Sequence, residues 1–342
     1  MKLSGPCTPN RWSSLREFAA HEINPSVLGG RTIAVVGFGN QGHAHALNLR
    51  DSGIKLVVGS RPESDGRAAA VAAGFAAYPA AEATEQADVV MLALPDQKMP
   101  AIYDEDIAPG LTVGKTLMFC HGFCLRFGFI RPPEGIDVAL VAPKGPGATL
   151  RADFLSGRGL AGLVAVHQDA SGGTLQTALA YAWGLGCARA MILETTVAEE
   201  TETDLFGEQA VLCGGIPALM KMAFETLIAA GCQPEMAYFE TIHEAKLIVD
   251  LIHRRGFTGM REAISDTAEW GGYLAEARLS TPALRAAMQE ILERVKDGSF
   301  ANEWIAEAKS GSQRLLKARE AEGLHPAEPV GAEIRSRIYP EG

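Results

Sequence analysis

Four carboxylates at helical spacing are the residues of this 342-residue chain best suited to chemistry. Asp204 and Glu208 stand four apart, as do Glu240 and Glu244, so on a helix each pair shares one face. Both pairs lie among apolar residues, in Asp204-Leu-Phe-Gly-Glu-Gln-Ala-Val-Leu212 and Tyr238-Phe-Glu-Thr-Ile-His-Glu-Ala-Lys-Leu-Ile248. Acids so placed are either solvated or gathered around positive charge. Brought together, the four would repel and their pKa values would rise unless cations neutralised them. Oxygen donors suit a hard cation such as Mg²⁺, and two divalent ions would balance four carboxylates. Glu240-Thr-Ile-His243 also fits the Glu-x-x-His of di-iron bundles, but those need a second such motif and none is found. Mg²⁺ is therefore preferred. The plainer reading is an acidic helix start favoured by the macrodipole, which accounts for Glu199, Glu200 and Glu202. It accounts less well for Glu208, and not for Glu240 and Glu244.

The first half carries a different signal. Gly37-Phe38-Gly39-Asn40-Gln41-Gly42 follows an apolar strand and opens a helix-like run. In that context the first glycine permits a tight turn, the second a close approach to a pyrophosphate, and the third close strand–helix packing. The helix N-terminus then offers free N–H groups to phosphates. This predicts a dinucleotide site rather than a merely structural glycine turn. After the second strand comes Gly59-Ser-Arg-Pro-Glu-Ser-Asp-Gly-Arg67. Arg61 and Ser64, with Arg67 in support, suit a ribose 2′-phosphate, whereas Glu63 and Asp65 oppose one. The expectation is NADPH use with weakened discrimination against NADH.

These groups need a frame. Short β-rich runs recur at Thr32–Val36, Leu56–Val58, Val89–Leu92, Thr116–Phe119, Val138–Val141 and Leu163–Val166. Helix-like stretches (Ala44–Arg50, Arg67–Ala73, Pro100–Ile107) separate the earlier ones, which predicts an α/β domain with a parallel, doubly wound sheet. From Thr196 the period becomes helical, through Ala210–Ala230, Pro234–His253 and Pro282–Lys296, with turns at Gly231, Gly256/Gly259 and Gly298. The reading is an N-terminal sheet domain over 1–195, with an irregular lead-in to 28 broken by Pro6, Pro9 and Pro25. An all-α domain follows over 196–330 and a tail over 331–342, and the charged stretch after Gly311 is expected to be peripheral. His121 and Lys144 both follow strands, where ligands collect in open α/β sheets. His121 suits exchange of a hydrogen bond with a substrate oxygen, and Lys144 neutralises charge on one. A solvent-facing loop is the bland alternative for each. His43 and His45, two apart on one helix, face different ways and are read as structural or at most near the phosphates.

At 47% apolar and 21% charged the chain is ordinary globular material, and a net charge of −10 argues against nucleic acid or an anionic membrane as partner. No apolar run is seen to approach the roughly 18 residues of a membrane span. No secretory pattern opens the chain. The six cysteines, Cys7, Cys120, Cys124, Cys187, Cys213 and Cys232, form no Cys-x-x-Cys and read as reduced thiols of a cytoplasmic protein. A local redox role for Cys120 and Cys124 beside His121 is the less favoured reading.

Several long motifs resemble ketol-acid reductoisomerase: Gly37 to Gly53, His121-Gly-Phe123, Ala142-Pro-Lys-Gly-Pro-Gly147, Glu199 to Gly215, Gln233 to Glu240, His243 to Ile252, and Ile264-Ser-Asp-Thr-Ala-Glu269. They run in order from about residue 30 to 330. The single helical domain resembles the short, bacterial class. The resemblance implies an enzyme of valine and isoleucine biosynthesis that performs a Mg²⁺-dependent alkyl migration on 2-acetolactate or 2-aceto-2-hydroxybutyrate. Reduction by NADPH, or by NADH, to the 2,3-dihydroxy acid follows. It implies cofactor contacts from Gly37 to Gly42, Arg61, Ser64 and Gly147. Asp204, Glu208, Glu240 and Glu244 would hold two Mg²⁺, and Glu244, Ile264, Ser265 and Ala268 the substrate. His121, Lys144 and Glu244 would carry catalytic roles. It also implies interlocked helical domains in a homodimer, with one pair of acids from each copy. Departures from the family pattern are Asn40 in the turn, Glu63, Asp65 and Gly66 in the ribose loop, Cys124-Leu-Arg126, Pro217 inside a predicted helix, and Glu262-Ala263. A specialised relative with a shifted acyl substrate is the alternative they raise. A metal-free hydroxyacid dehydrogenase of the 3-hydroxyisobutyrate type and a non-catalytic cofactor-binding protein are the rivals from outside the family.

Overall fold

A computed structural model describes residues 15–340. Pro6, Cys7 and Pro9 of the lead-in, and the last two residues of the tail, lie outside the described residues. The chain divides into two compact units, Met1–Thr201 and Glu202–Gly342.

The first unit is built on an eight-stranded sheet of order β3-β2-β1-β4-β5-β6-β7-β8. The strands are β1 Ile33–Val36, β2 Leu56–Gly59, β3 Ala77–Tyr78, β4 Val89–Leu92, β5 Thr116–Phe119, β6 Asp137–Pro143, β7 Gly162–Gln168 and β8 Ile192–Glu194. Every residue of β1, β4, β5 and β6 is buried, as expected of strands covered on both faces by helices. The helices are α1 Asn40–Asp51, α2 Asp65–Ala72, α3 Ala80–Gln86, α4 Met99–Ile102, α5 Phe123–Arg126, α6 Gly147–Leu155 and α7 Thr174–Gly184. The chain reverses its direction of winding between β1 and β4, so the crevice at their carboxyl ends is a switch point.

The six predicted strands are present, and two short ones join them. The sheet is not wholly parallel, because β7 pairs antiparallel with β6, Gly162 opposite Pro143. After α6 the left-handed glycines Gly157 (φ 80°) and Gly159 (φ 75°) turn the chain back, and it re-enters at the carboxyl edge. There the Lys144 N–H donates to Ala161 O at 2.8 Å. Strand–helix alternation carries no mark of which edge the chain re-enters.

The second unit is helical. It takes in the end of α8 Val197–Gly207, then α9 Gly215–Ala229, α10 Pro234–Tyr238, α11 Glu244–Arg261, α12 Asp266–Leu279, α13 Pro282–Lys296, α14 Ser299–Lys309, α15 Gln313–Gly323 and α16 Ala327–Ile338. Two π turns, Glu208–Leu212 and Phe239–His243, interrupt the run at the two carboxylate pairs. Each adds a residue to a turn, so side chains beyond it rotate to a new face. Gly256, at φ 69° and ψ 179°, kinks α11 where a turn was expected.

Three expectations are corrected. Pro217 stands in the first turn of α9, which begins at Gly215, so it removes no hydrogen bond within that helix. The tail is not peripheral: Ala327 and Ile334 of α16 pack with Phe224, Ala237 and Tyr238 as the unit's core. Gly331 lets α16 approach, since a Cβ there would lie 2.5 Å from the Tyr238 ring. Finally, the helical run Val197–Ala229 is, by length and composition alone, long and apolar enough to cross a membrane, and 6% of its most apolar window is buried.

Candidate functional site

The glycine turn sits at the switch point, and its geometry requires glycine. Gly37 has φ 100°, and a Cβ there would lie 2.3 Å from Ala93 O, just past β4. A Cβ on Gly42 would lie 2.0 Å from Gly37 O, which fits the packing role of the third glycine. Gly39 has open space where a side chain would stand. A cavity of about 630 Å³ opens there, lined by Gly37 to Gln41, by Ser60, Arg61, Ser64, Asp65 and Gly66, and by Asp106 and Cys120. The Ser60 hydroxyl is buried without a hydrogen-bond partner among the described residues, as a donor awaiting a ligand would be. The residues fit a dinucleotide: backbone amides at the α1 terminus for the pyrophosphate, polar groups after β2 for a ribose.

Within the ribose loop Ser64 is already engaged. Its hydroxyl donates to Arg61 O at 2.8 Å and accepts the Arg67 N–H at 3.2 Å, capping α2. Arg67 does not line the cavity, which leaves Arg61 as the cation on its wall against the carboxylates Asp65 and Asp106. Glu63 holds the turn in the left-handed region, φ 58°, and is not on the wall either. Gly147 also lies off the wall. A Cβ on it would come 1.8 Å from Asn40 O, so it lets α6 close against the glycine turn. Gln41 makes the same junction, donating to Gly145 O at 3.0 Å and tying the turn to the loop that carries Lys144.

His121 follows β5 and Lys144 follows β6, and one buried carboxylate joins them. Glu200, with its side chain 1% exposed, lies 3.3 Å from His121 Nδ1 and 3.6 Å from Lys144 Nζ, and accepts the Gly122 N–H at 3.2 Å. A Cβ on Gly122 would lie 2.1 Å from Thr201 Oγ1, so only glycine lets this loop meet α8. A carboxylate this deep is held only by such donors. It fixes the imidazole's orientation through Nδ1. The sequence reading had placed Glu200 among the solvated acids of a helix start. Helical spacing was the missed signal, because Glu200 precedes Asp204 by one turn on the face of α8 that carries the first acid pair.

His45 is buried, its Nδ1 3.1 Å from the Tyr181 hydroxyl, and burial pushes its pKa down to about 3. His43 is exposed, its ring edge-on to Phe38. Cys120, Cys124 and Cys187 are free thiols whose pKa values burial raises, to about 12 for Cys120 and Cys187. Burial thus favours the protonated thiols, which weighs against the redox reading of Cys120 and Cys124.

In the helical unit a second cavity, about 640 Å³, gathers Glu240, Glu244, Ala245, Ile248, Met260, Arg261, Ile264, Ser265 and Ala268. Ser265 caps α12, its hydroxyl oxygen accepting the Ala268 N–H at 3.2 Å. Two carboxylates, one arginine, a capped helix N-terminus and apolar walls thus meet in one place. Asp204 and Glu208 are not on this wall. Neither are Glu262 and Ala263; Glu262 pairs with Arg255 at 3.4 Å and faces outward. His243 packs edge-on against Phe239 at 5.4 Å and is also off the wall. Sequence reading missed Ile248, Met260 and Arg261, which α11 brings to the cavity from both sides of its kink.

Comparison with known proteins covers both units. Residues 27–191 match the NADPH-binding domain of acetohydroxy acid isomeroreductase, and residues 197–339 match the C-terminal domain of ketol-acid reductoisomerase. The structure of an NADH-preferring ketol-acid reductoisomerase from an uncultured archean aligns with a TM-score of 0.92 at 46% identity, over 94% of this chain and 98% of that one. A semialdehyde dehydrogenase NAD-binding protein from Cupriavidus necator aligns at 0.59 with 20% identity, over 78% and 99%, a likeness of fold alone. The glycine turn, the strand-end cation and the helical acids thus lie in two domains of one lineage, and the chain belongs to the ketol-acid reductoisomerase family.

Proposed function

We propose that this chain converts 2-acetolactate or 2-aceto-2-hydroxybutyrate to the 2,3-dihydroxy acid, within branched-chain amino-acid biosynthesis in the cytoplasm. Ketol-acid reductoisomerase activity with NAD(P)H follows from the family. The assignment of residues is our reading. The observation that carries it is the cavity that joins Glu240 and Glu244 to Ser265 and the N-terminus of α12.

Asp204, Glu208, Glu240 and Glu244 would supply an all-oxygen donor set whose charge matches two Mg²⁺. Such ions, when bound, polarise the neighbouring hydroxyl and carbonyl oxygens of a hydroxy-ketone as Lewis acids. Ser265 and the free amides of α12 hold the substrate carboxylate, with Ile264 and Ala268 against its carbon skeleton. Glu244 takes the hydroxyl proton released as the alkyl group shifts. Lys144 offsets negative charge on the reacting oxygens, and His121, oriented by Glu200, exchanges a proton with them. The nicotinamide supplies the hydride, its dinucleotide held by Gly37 to Gly42, Ser60, Arg61 and Ser64. One cation against two carboxylates on that wall supports use of both NADPH and NADH, with weak discrimination.

The working form is a homodimer in which the acid pair Asp204/Glu208 of one copy completes the site with the Glu240/Glu244 pair of the other. Supporting this, Asp204 and Glu208 are off the cavity wall that bears the other pair. The helical unit also exposes apolar side chains that need a cover, among them Leu212, Leu219, Met222, Leu247 and Trp270. A second copy would cover them. The test is cofactor oxidation with 2-acetolactate, with Mg²⁺ and with a chelator. Turnover that needs Mg²⁺ is expected; turnover unaffected by chelation would refute the metal assignment, and none in either condition would refute the function.

A further inference from the structure

Arg261 shares the cavity wall with Glu240, Glu244 and Ser265, yet the roles given so far leave it idle. Its guanidinium is held on three sides by α12. Nη2 lies 3.3 Å from Glu276 Oε2, and the guanidinium carbon sits 4.4 Å over the Tyr273 ring. A Cβ on Gly272 would come 2.2 Å from Nη1. The Tyr273 hydroxyl in turn donates to Glu269 at 3.1 Å, which braces the ring from behind. The ion pair itself contributes little, because the Glu276 side chain is 66% exposed. What sets the position is the Tyr273 ring under the guanidinium and the missing side chain at Gly272, a fit that suits arginine and not lysine.

Arg261 is the last residue of α11, the helix that begins with Glu244, and Ser265 caps α12 four residues later. Clipping the end of one helix onto the second turn of the next therefore fixes the angle between them. That angle sets how far Ser265 and the α12 amides stand from Glu240 and Glu244. A substrate held at its carboxylate by one helix and at its hydroxyl by the other depends on that distance.

We propose that Arg261 is a positioning residue for substrate carboxylate binding, holding Ser265 and the N-terminus of α12 at fixed reach from Glu240 and Glu244. The inference rests on the function proposed above. The test uses the full chain with Mg²⁺ and cofactor, and compares R261M, R261K and G272A. R261M and G272A should raise the KM for 2-acetolactate about tenfold or more and leave that for the nicotinamide cofactor within about twofold. R261K should fall between them and the wild type, because it restores charge without the guanidinium over the ring. Circular dichroism at the assay temperature confirms folding; if G272A does not fold, the two Arg261 variants decide. An unchanged 2-acetolactate KM in R261M overturns the proposal. So does a rise in both KM values alongside a lower melting temperature, which would make Arg261 a plain fold contact. A wild type without turnover overturns the function and this inference together, whereas an active wild type with indifferent variants overturns this inference alone.

Discussion

Mild acid will destabilise this protein through His45 before its carboxylates titrate. The imidazole is fully buried in α1, touches the Tyr181 hydroxyl, and has no partner for Nε2 among the described residues. Burial lowers its pKa from 6.5 to about 3. The unfolded chain takes up this proton as pH falls through about 6.5, while the folded chain refuses it until about 3. The contribution is thus complete above the unfolded value and is lost across that window, by about 1.4 kcal/mol for each pH unit. Between pH 7 and pH 5 that amounts to about 2 kcal/mol. The assay is urea unfolding of wild type and H45Q at both pH values and constant ionic strength. Glutamine keeps a polar group near Tyr181 but does not titrate. H45Q should be the less stable protein at pH 7, yet lose about 2 kcal/mol less on acidification. His167, whose pKa burial also lowers, is present in both proteins and cancels. Parallel pH profiles for the two proteins would refute the reasoning.

Three further predictions concern the site. E200Q removes the charge shared by His121 and Lys144, and should lower kcat by about a hundredfold while leaving the cofactor KM nearly unchanged; a kcat within threefold of wild type would deny Glu200 that role. G147A forces a Cβ toward Asn40 O, so the cofactor KM should rise by about tenfold, read by initial-rate kinetics, with no change predicting that α6 yields freely. The ratio of kcat/KM for NADPH over NADH should lie below about a hundred, and D65S should raise it several-fold by removing a carboxylate from the ribose wall; a fall in the ratio would contradict the charge argument.

Local patterns in the sequence led directly to the glycine turn, the central strands and the helical second half. Each is written in a few adjacent residues: glycines 37, 39 and 42, the apolar run of β1, the four-residue spacing of Glu240 and Glu244. What stayed hidden depends on partners far along the chain. Glu200 looks like any acid at a helix start until the loop after β5 wraps over it through Gly122. Ser64 reads as a phosphate ligand, and nothing in the loop's own residues shows that its hydroxyl also caps α2. Arg261 shows its task only once α12 folds back beside it. The π turns leave no compositional trace, since one extra residue in a helix is a matter of hydrogen-bond register. The antiparallel β7 and the packed face of α16 (Ala327, Gly331, Ile334) were missed for the same reason: neither the edge at which a strand enters nor the face a charged helix covers is visible from its own residues.

The core of the helical unit joins Phe224 and Tyr238 to Ala327 and Ile334, close to a hundred residues later. During synthesis this has an order built into it. The sheet unit has all its strands once residue 194 has emerged, whereas α9 and α10 must wait for α16. Throughout that interval the apolar helices of the second unit are uncovered, at the stage when a nascent chain is most open to aggregation. Shortening the protein before Ile334 would make that waiting period permanent, so loss of solubility rather than loss of a single contact is the expected result.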